Sequence, residues 1–447
     1  MSILLLLTSI YILIQVPVVQ QWLGQKITST LSKELKTTVT LDRIGFSLFN
    51  KISLEGLLIL DQQQDSLLYV GNLRLNVTDM VIFREQAELK SFEICDAKLQ
   101  LQRSDSTWKH QFLLDYLNTP ASSGNSTNNK KIRLNLKSIS FKNIQIQQID
   151  GWLGQRLTAK IGGLNLQADR LILSEKYFII NQLTLTEPSI AIEEIKRNKP
   201  FNEPSPTKEP ATLTGWNLDN KSVVISSLNI FNGAFQLKKE GKIIAAGFDP
   251  NHVYVQSINA SLNNSSIVGD TVMSELEISA KERGGFAIQK MKGKFRITPN
   301  SMELLNYQLE TNNSLLQNNL QLSYQKISDF QDFFNRVKLS LDFKNSIISS
   351  KDLAYFIPQM KGWNRNISFE GKLKGTLNEF KTERISLRAG AETLLNGSLY
   401  VKGLSRPKDL FIDFEANRLN TSYEDLAFLV PSVKDISNIN LKAFKFI

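Results

Sequence analysis

The side chains able to do covalent or metal chemistry are few and scattered. The 447-residue chain has one cysteine, Cys95, and two histidines, His110 and His252. A single cysteine excludes an intrachain disulfide and a cysteine-built metal site. A histidine metal centre or a Ser-His-Asp triad would have to rest on one of two histidines far apart in sequence, and both read as loop residues. No nucleophile, base and acid fall into a set, so an anchored hydrolase is not expected. No catalytic residue, metal ligand or cofactor site is assigned. The formal charge of +10 favours anionic partners. Its Lys and Arg residues are spread along the chain, without a basic block interleaved with aromatics, and nucleic acid is not an expected partner.

What is left to position is apolar surface, and it begins at the N-terminus. Ile3 to Val19 carries no charge, and the first charged side chain is Lys26. A membrane helix needs roughly 20 apolar residues, with about 17 as the lower limit. Residues 1–19 are therefore expected to be a retained anchor, with Ile3, Leu7, Ile10, Leu13, Val19 and the interfacial Trp22 as its contacts. A cleaved signal peptide fits less well, because no basic residue precedes the run and no small-x-small site follows it. The missing basic flank points to a start upstream of Met1. From Val19 onward, Leu23, Ile27, Leu31 and Leu35 recur every four residues, which predicts an amphipathic helix over 20–36.

Residues 37–290 read as short strands with period-two alternation, separated by Gly, Asn and Asp. The strands repeat. Phe92, Ile94, Asp96, Leu99 and Leu101 align with Ile139, Phe141, Asn143 and Ile144 to Ile146. They align again with Leu183, Leu185, Glu187, Ile190 and Ile192, and with Leu228, Ile230, Asn232, Phe235 and Leu237. The spacing is about 45 residues, within the range of repeat architectures. In each copy the alternation resumes on the opposite parity after the polar residue. A slip of one residue turns side chains to the other face unless a corner absorbs it, so a bend is expected at Asp96, Asn143, Glu187 and Asn232. A double repeat overlies this, since Val70-Gly-Asn-Leu73 matches Ile161-Gly-Gly-Leu164. Residues 118–131 and 196–210 are polar and read as flexible insertions, and Phe112 to Leu117 as a short helix.

Residues 291–447 repeat another unit. Ser349, Asp352 and Pro358 match Ser422, Asp425 and Pro431, which places an N-cap, a first-turn acid and a stop around two short helices. The chain stops in mid-pattern at Ala443 to Ile447 and reads as a fragment.

These stretches resemble the AsmA-like superfamily, specifically the N-terminal part of TamB proteins (translocation and assembly module) of Bacteroidota type. The likeness is carried by the anchor and helix ending Leu31-Ser-Lys-Glu-Leu35, by Val39 to Ile44, Leu54 to Asp61 and Asp65 to Gly71, and by Ser350 to Pro358 with Phe369 to Gly375. The resemblance implies a single-pass inner-membrane protein whose bulk lies in the periplasm as a long β-trough, a β-taco. It also implies work in outer-membrane biogenesis, either passive phospholipid transport between inner and outer membranes or support of outer-membrane protein assembly. The C-terminal region through which the family is expected to meet an outer-membrane barrel partner is lacking here.

The expected fold is therefore mainly β: an N-terminal membrane helix, then an elongated repetitive groove with a few short helices. Membrane lipid is the expected partner. The apolar residues after the bends, Leu99, Leu101, Ile144, Ile146, Ile190, Ile192, Phe235 and Leu237, are the expected lining for its acyl chains. A structural or adhesin-like sandwich with a dry core is the alternative reading of the same stripes.

Overall fold

The structure, a computed structural model, describes residues 15–47, 51–78, 88–118, 133–172, 175–199, 217, 220–245, 247–356, 361–362, 365–390, 392–403, 411–423 and 425. It is mainly β, with twenty strands among these residues. The chain forms two compact units that divide within one strand, His252–Val268. The first holds residues 1–211, 221–244 and 251–256, and the second holds 212–220, 245–250 and 257–447. The boundary expected at 290 falls inside the strand Ala287–Thr298, because the hairpins of the second unit run unbroken through it.

Unit 1 opens with helix α1 (Pro17–Leu35), which starts three residues earlier than expected. Pro17 suits a helix start, since its missing N–H has no acceptor there. The helix stops at Lys36, whose left-handed backbone (φ 52°) hands its N–H back to the Ser32 carbonyl. Then follow β1 (Val39–Thr40), β2 (Arg43–Ser47), β3 (Lys51–Leu60), β4 (Ser66–Thr78), β5 (Glu88–Arg103), α2 (Gln111–Asn118) and β6 (Arg133–Asp150). β7 (Gln155–Arg170), β8 (Tyr177–Thr186), β9 (Ser189–Glu194), β10 (Ser222–Lys238) and the start of β11 (His252–Val268) complete the unit.

β1 and β2 both pair with β3. Beyond it the strands lie in the order β4, β5, β6, β7, β8 with β9, and β10. The pairs are antiparallel except β5 with β6 and β8/β9 with β10, which are parallel. A parallel neighbour requires a crossover back along the sheet, and the two polar insertions are these crossovers. Their middles, 119–132 and 200–216, lie outside the described residues.

No helix among the described residues is long and apolar enough to cross a membrane. Of the expected anchor contacts, Ile3, Leu7, Ile10 and Leu13 lie outside the described residues, while Val19 is half-buried and Trp22 is 61% exposed on α1. The helix does not present its whole apolar stripe to the surroundings. Leu35, Val39 and Ile44 are all buried, and a β-carbon on Gly24 would lie 3.8 Å from Ile44 and 3.9 Å from Leu41. This stripe therefore packs on the first strands, and Val18, Trp22 and Ile27 remain outside.

Unit 2 is an antiparallel meander in sequence order. It comprises β12 (Thr271–Glu282), β13 (Ala287–Thr298), β14 (Ser301–Thr311), β15 (Leu315–Ser323), a 3-10 turn (Ile327–Asp332) running into α3 (Phe333–Arg336), and β16 (Lys338–Ser349). It continues with α4 (Ser350–Phe356), β17 (Asn366–Gly375), β18 (Glu379–Ala389), β19 (Thr393–Lys402) and β20 (Phe411–Asn420).

The expected helix after Ser349 is α4, which ends two residues before Pro358. Ser349 itself closes β16, and its hydroxyl accepts the Lys351 N–H at a long 3.4 Å. Ser422 caps in the expected way, accepting the Asp425 N–H at 3.2 Å. Pro358 and Pro431 lie outside the described residues.

Candidate functional site

The four residues at which the sequence predicts bends all have left-handed backbones: Asp96 at φ 57°, Asn143 at 53°, Glu187 at 50° and Asn232 at 53°. Asn and Asp tolerate this region better than other side chains. They form one crease across unit 1, because the register sets Gly56 opposite Gly71, Gly71 opposite Asp96, Asp96 beside Asn143 and Asn143 opposite Gly162. The glycines are needed where they stand. A β-carbon on Gly71 would come within 3.0 Å of the Asp96 β-carbon, and one on Gly162 within 3.1 Å of that of Glu187. Asn143 Nδ2 donates to Asp96 Oδ1 at 2.7 Å across the parallel pair.

The corner absorbs the slip in parity. Asp96, Asn143, Glu187 and Asn232 are exposed, whereas Val70, Ala97 and Gly233 beside them are buried, so the apolar side is the inside of the bend. Apolar residues before and after the crease share this face. Ahead of it run Leu54, Leu73, Ile94, Phe141, Leu164, Leu185 and Ile230, directly opposite one another strand by strand. Beside them runs a second row: Ile52, Leu75, Phe92, Ile139, Leu166, Leu183 and Leu228. The rings of Phe92 and Phe141, one from each row, meet at 5.9 Å.

The expected lining residues form the rows beyond the crease. Ile59, Leu68, Leu99, Ile146, Ala159, Ile190 and Phe235 are in register, a line of roughly 29 Å at about 4.8 Å per strand. Leu101, Gln148, Leu157, Ile192 and Leu237 make the next, with Gln148 interrupting it. Ile144 pairs instead with Ala97 and Ile161, at the crease. All eight expected residues thus fall on one face. The two rows ahead of the bend were missed as lining, although they carry the same alternation.

The opposite face is polar. Arg74, Glu93, Ser140, Asn165, Thr184 and Asn229 are in register across it. Arg74 pairs with Glu93 at 3.2 Å, and Arg156 with Glu193 at 3.0 Å.

Burial separates the two ends of the apolar face. Where α1 lies on it, Ile44 is 3% exposed. Farther along, seven of the eight expected lining residues are only half-buried, and Ile190 is 46% exposed. Central strand residues with apolar partners on both sides normally reach the buried class once a second layer covers them. Among the described residues no second layer covers this stretch.

One rim is closed by charge instead. Arg103 grips Asp150 through two contacts, at 2.8 and 2.6 Å, and Trp108 lies 4.6 Å from the guanidinium. Burial alone would raise the Asp150 carboxyl, but the Arg103 contact and the N–H of Leu153 outweigh it and hold the group below its usual range. Lys109 bridges Asp61 and Asp65 on the same rim.

Chemistry-bearing residues do not converge. Cys95 sits on the polar side, its thiol pushed up chiefly by burial, with Glu93 adding to the rise. His110 lies beside Trp108 at 5.3 Å and is held low by burial. Among the described residues no group of three potential metal ligands occurs. The chain matches no protein-family profile and no curated protein sequence.

Proposed function

We propose that unit 1 is a lipid-holding groove of a membrane-attached periplasmic protein, carrying phospholipid acyl chains along its creased apolar face. One observation carries this reading: ordered apolar rows that remain half-exposed in the middle of a sheet whose other face is polar. A row of about 29 Å is long enough for an acyl chain, which spans half of a hydrocarbon core of about 30 Å. Transfer of methylenes from water is worth about 0.8 kcal/mol each. Two long chains then contribute on the order of 20 kcal/mol, the scale needed to offset leaving a bilayer. Such contacts have no direction, so a chain slides from strand to strand without a catalytic group. The setting comes from the family resemblance: an inner-membrane anchor over residues 1–19, and lipid movement toward the outer membrane or support of assembly there.

Photoreactive residues at Leu99, Ile146, Ile190 and Phe235 test the reading in cells. Phospholipid is expected on all four and not on the polar-face neighbours Lys98 and Gln145. Capture on the polar positions instead would sink the assignment. Ile190→Asp is expected to stop lipid capture along the row while the strand ladder stays protected from hydrogen exchange. Unfolding of β9 and β10 in that variant would point to a dry core, where an unpaired charge costs several kcal/mol.

A further inference from the structure

A cleft of 540 Å³ lies against the polar face of unit 1, at the rim where β2 ends and β3 begins. Its wall includes Ser47, Lys51, Arg74, Glu93, Ser138 and Ser140. Two adjacent polar rows supply it: Lys51 with Asn76, Ser91 and Ser138, and Ser53 with Arg74, Glu93 and Ser140. The serines keep the floor low, and the charges stand at one end. Among the described residues Lys51 makes no ion pair and Arg74 pairs with Glu93, which also accepts the Cys95 thiol at 3.5 Å.

The position of the cleft is as telling as its chemistry. Gln15, just ahead of α1, donates its side-chain amide to the carbonyl of Phe46, the residue before Ser47. The cleft therefore sits beside the N-terminal end of the helix whose Val18 and Trp22 stand out, 72% and 61% exposed. Apolar rows with Ile52, Leu75 and Phe92 run through the same strands on the opposite face.

We infer that this cleft binds the zwitterionic headgroup of a phosphoethanolamine-type phospholipid as the lipid enters the groove, an inference that rests on the groove reading above. The phosphate takes Lys51, Arg74 and the serine hydroxyls, and the ammonium takes Glu93. Each member of the Arg74–Glu93 pair exchanges one opposite charge for another, so no charge is left uncompensated. An anionic headgroup without an amine would leave Glu93 facing it, and a lipid without phosphate would leave Lys51 unused.

The 447-residue chain with a photoreactive residue at Ile146 provides the readout. It is offered vesicles of phosphatidylethanolamine, phosphatidylglycerol and diacylglycerol with identical chains, and the captured lipid is identified by mass spectrometry. Phosphatidylethanolamine is expected to exceed phosphatidylglycerol roughly two- to fivefold, the scale of one exposed charge contact. Glu93→Gln is expected to bring that ratio to one or below, and Glu93→Asp to keep it. Lys51→Gln is expected to lower both phospholipids relative to diacylglycerol. Equal capture of the two phospholipids by the unaltered chain, or a ratio unmoved by Glu93→Gln, would overturn the headgroup assignment and leave the groove standing. Absence of any capture at Ile146 would overturn the groove and the cleft together.

Discussion

The two units bend their sheets by different devices. In unit 1 β3 to β7 and β10 each give one residue to the crease, with Glu187 in the break between β8 and β9. The pairing from β5 to β7 passes through it without a shift: Cys95 and Ala97 face Lys142 and Ile144, which face Gly163 and Ile161. In unit 2 every neighbouring pair from β12 to β20 shifts register, and left-handed Asn306, Asn345 and Arg384 sit in those shifts. Gly293 gives way to Tyr307 there, a β-carbon on it meeting the Tyr307 Cα at 3.1 Å. The parallel neighbours of unit 1 carry the same motif at the same height, so one polar residue per copy lines up. A meander reverses direction at each hairpin, and two residues against one must bend it instead.

Unit 2 also fastens its hairpins differently. Asp352, in the first turn of α4, is buried and accepts bonds from Thr311 Oγ1 (2.5 Å), Ser314 Oγ (2.6 Å), Asn313 Nδ2 (2.8 Å) and the Asn313 N–H (3.1 Å). Asp425 does the same for the β18–β19 turn, taking the N–H groups of Glu392 and Thr393 at 2.8 and 3.0 Å. The repeated Ser-x-x-Asp motif is thus a clamp between a helix and a distant turn. Aromatic contacts add to the first clamp: Tyr355 stacks on Phe286 at 5.3 Å, and its hydroxyl donates to Glu282.

The largest expected effect breaks a clamp. Asp352→Ala leaves four donors without their acceptor and should cost about 3 kcal/mol, seen as faster hydrogen exchange in β14 to β16 with unit 1 unchanged. Exchange spreading evenly through both units would show that the clamp is not local. Gly71→Val comes next. It forces a side chain against the Asp96 β-carbon and should cost about 2 kcal/mol in β4 and β5, while the same change at Gly163, whose β-carbon would meet nothing nearer than 3.6 Å, should cost less.

Acid should act on both units through different carboxylates. For Asp352 burial works to raise the pKa, but bonds from Asn313, Ser314 and Thr311 prevail and depress it. A depressed carboxyl stabilises fully above its unfolded value, about 3.9, and that contribution is lost as the pH falls through the lower folded value. Asp352→Asn should flatten this acid loss in β14 to β16 and leave that of the Arg103–Asp150 rim intact. The smallest effect is expected from Asn143→Gly, within about 1 kcal/mol, since glycine adopts the left-handed corner without strain. A far larger loss would mean that the Asn143 to Asp96 bond, rather than backbone conformation, holds the crease.

Much of unit 1 was legible because its signal is local. Alternation marks the strands, and a polar residue at each parity slip marks the bend. The match of Val70 to Leu73 with Ile161 to Leu164 marks the double repeat that the parallel pairings later explain. The stacking of Leu99, Ile146, Ile190 and Phe235 follows from the same spacing. Gly71 and Gly162 stood in view within that matched motif, yet their role depends on what lies across the strand. The register shifts of unit 2 left no comparable mark, since a bulge costs one residue on one strand and any small or polar residue can supply it.

The sequence alone determined that the chain is mainly β, that its copies bend at Asp96, Asn143, Glu187 and Asn232, and that one face of each copy is apolar. These are properties of neighbours along the chain, where steric limits and alternation act. Only the tertiary structure decided that β5 lies parallel to β6, that glycines receive the corner residues, that α1 covers the first strands, and that Asp352 and Asp425 hold turns some 30 to 40 residues away. Those are choices of partner, and partners are set by the free energy of whole surfaces meeting, to which no single stretch of sequence holds the answer.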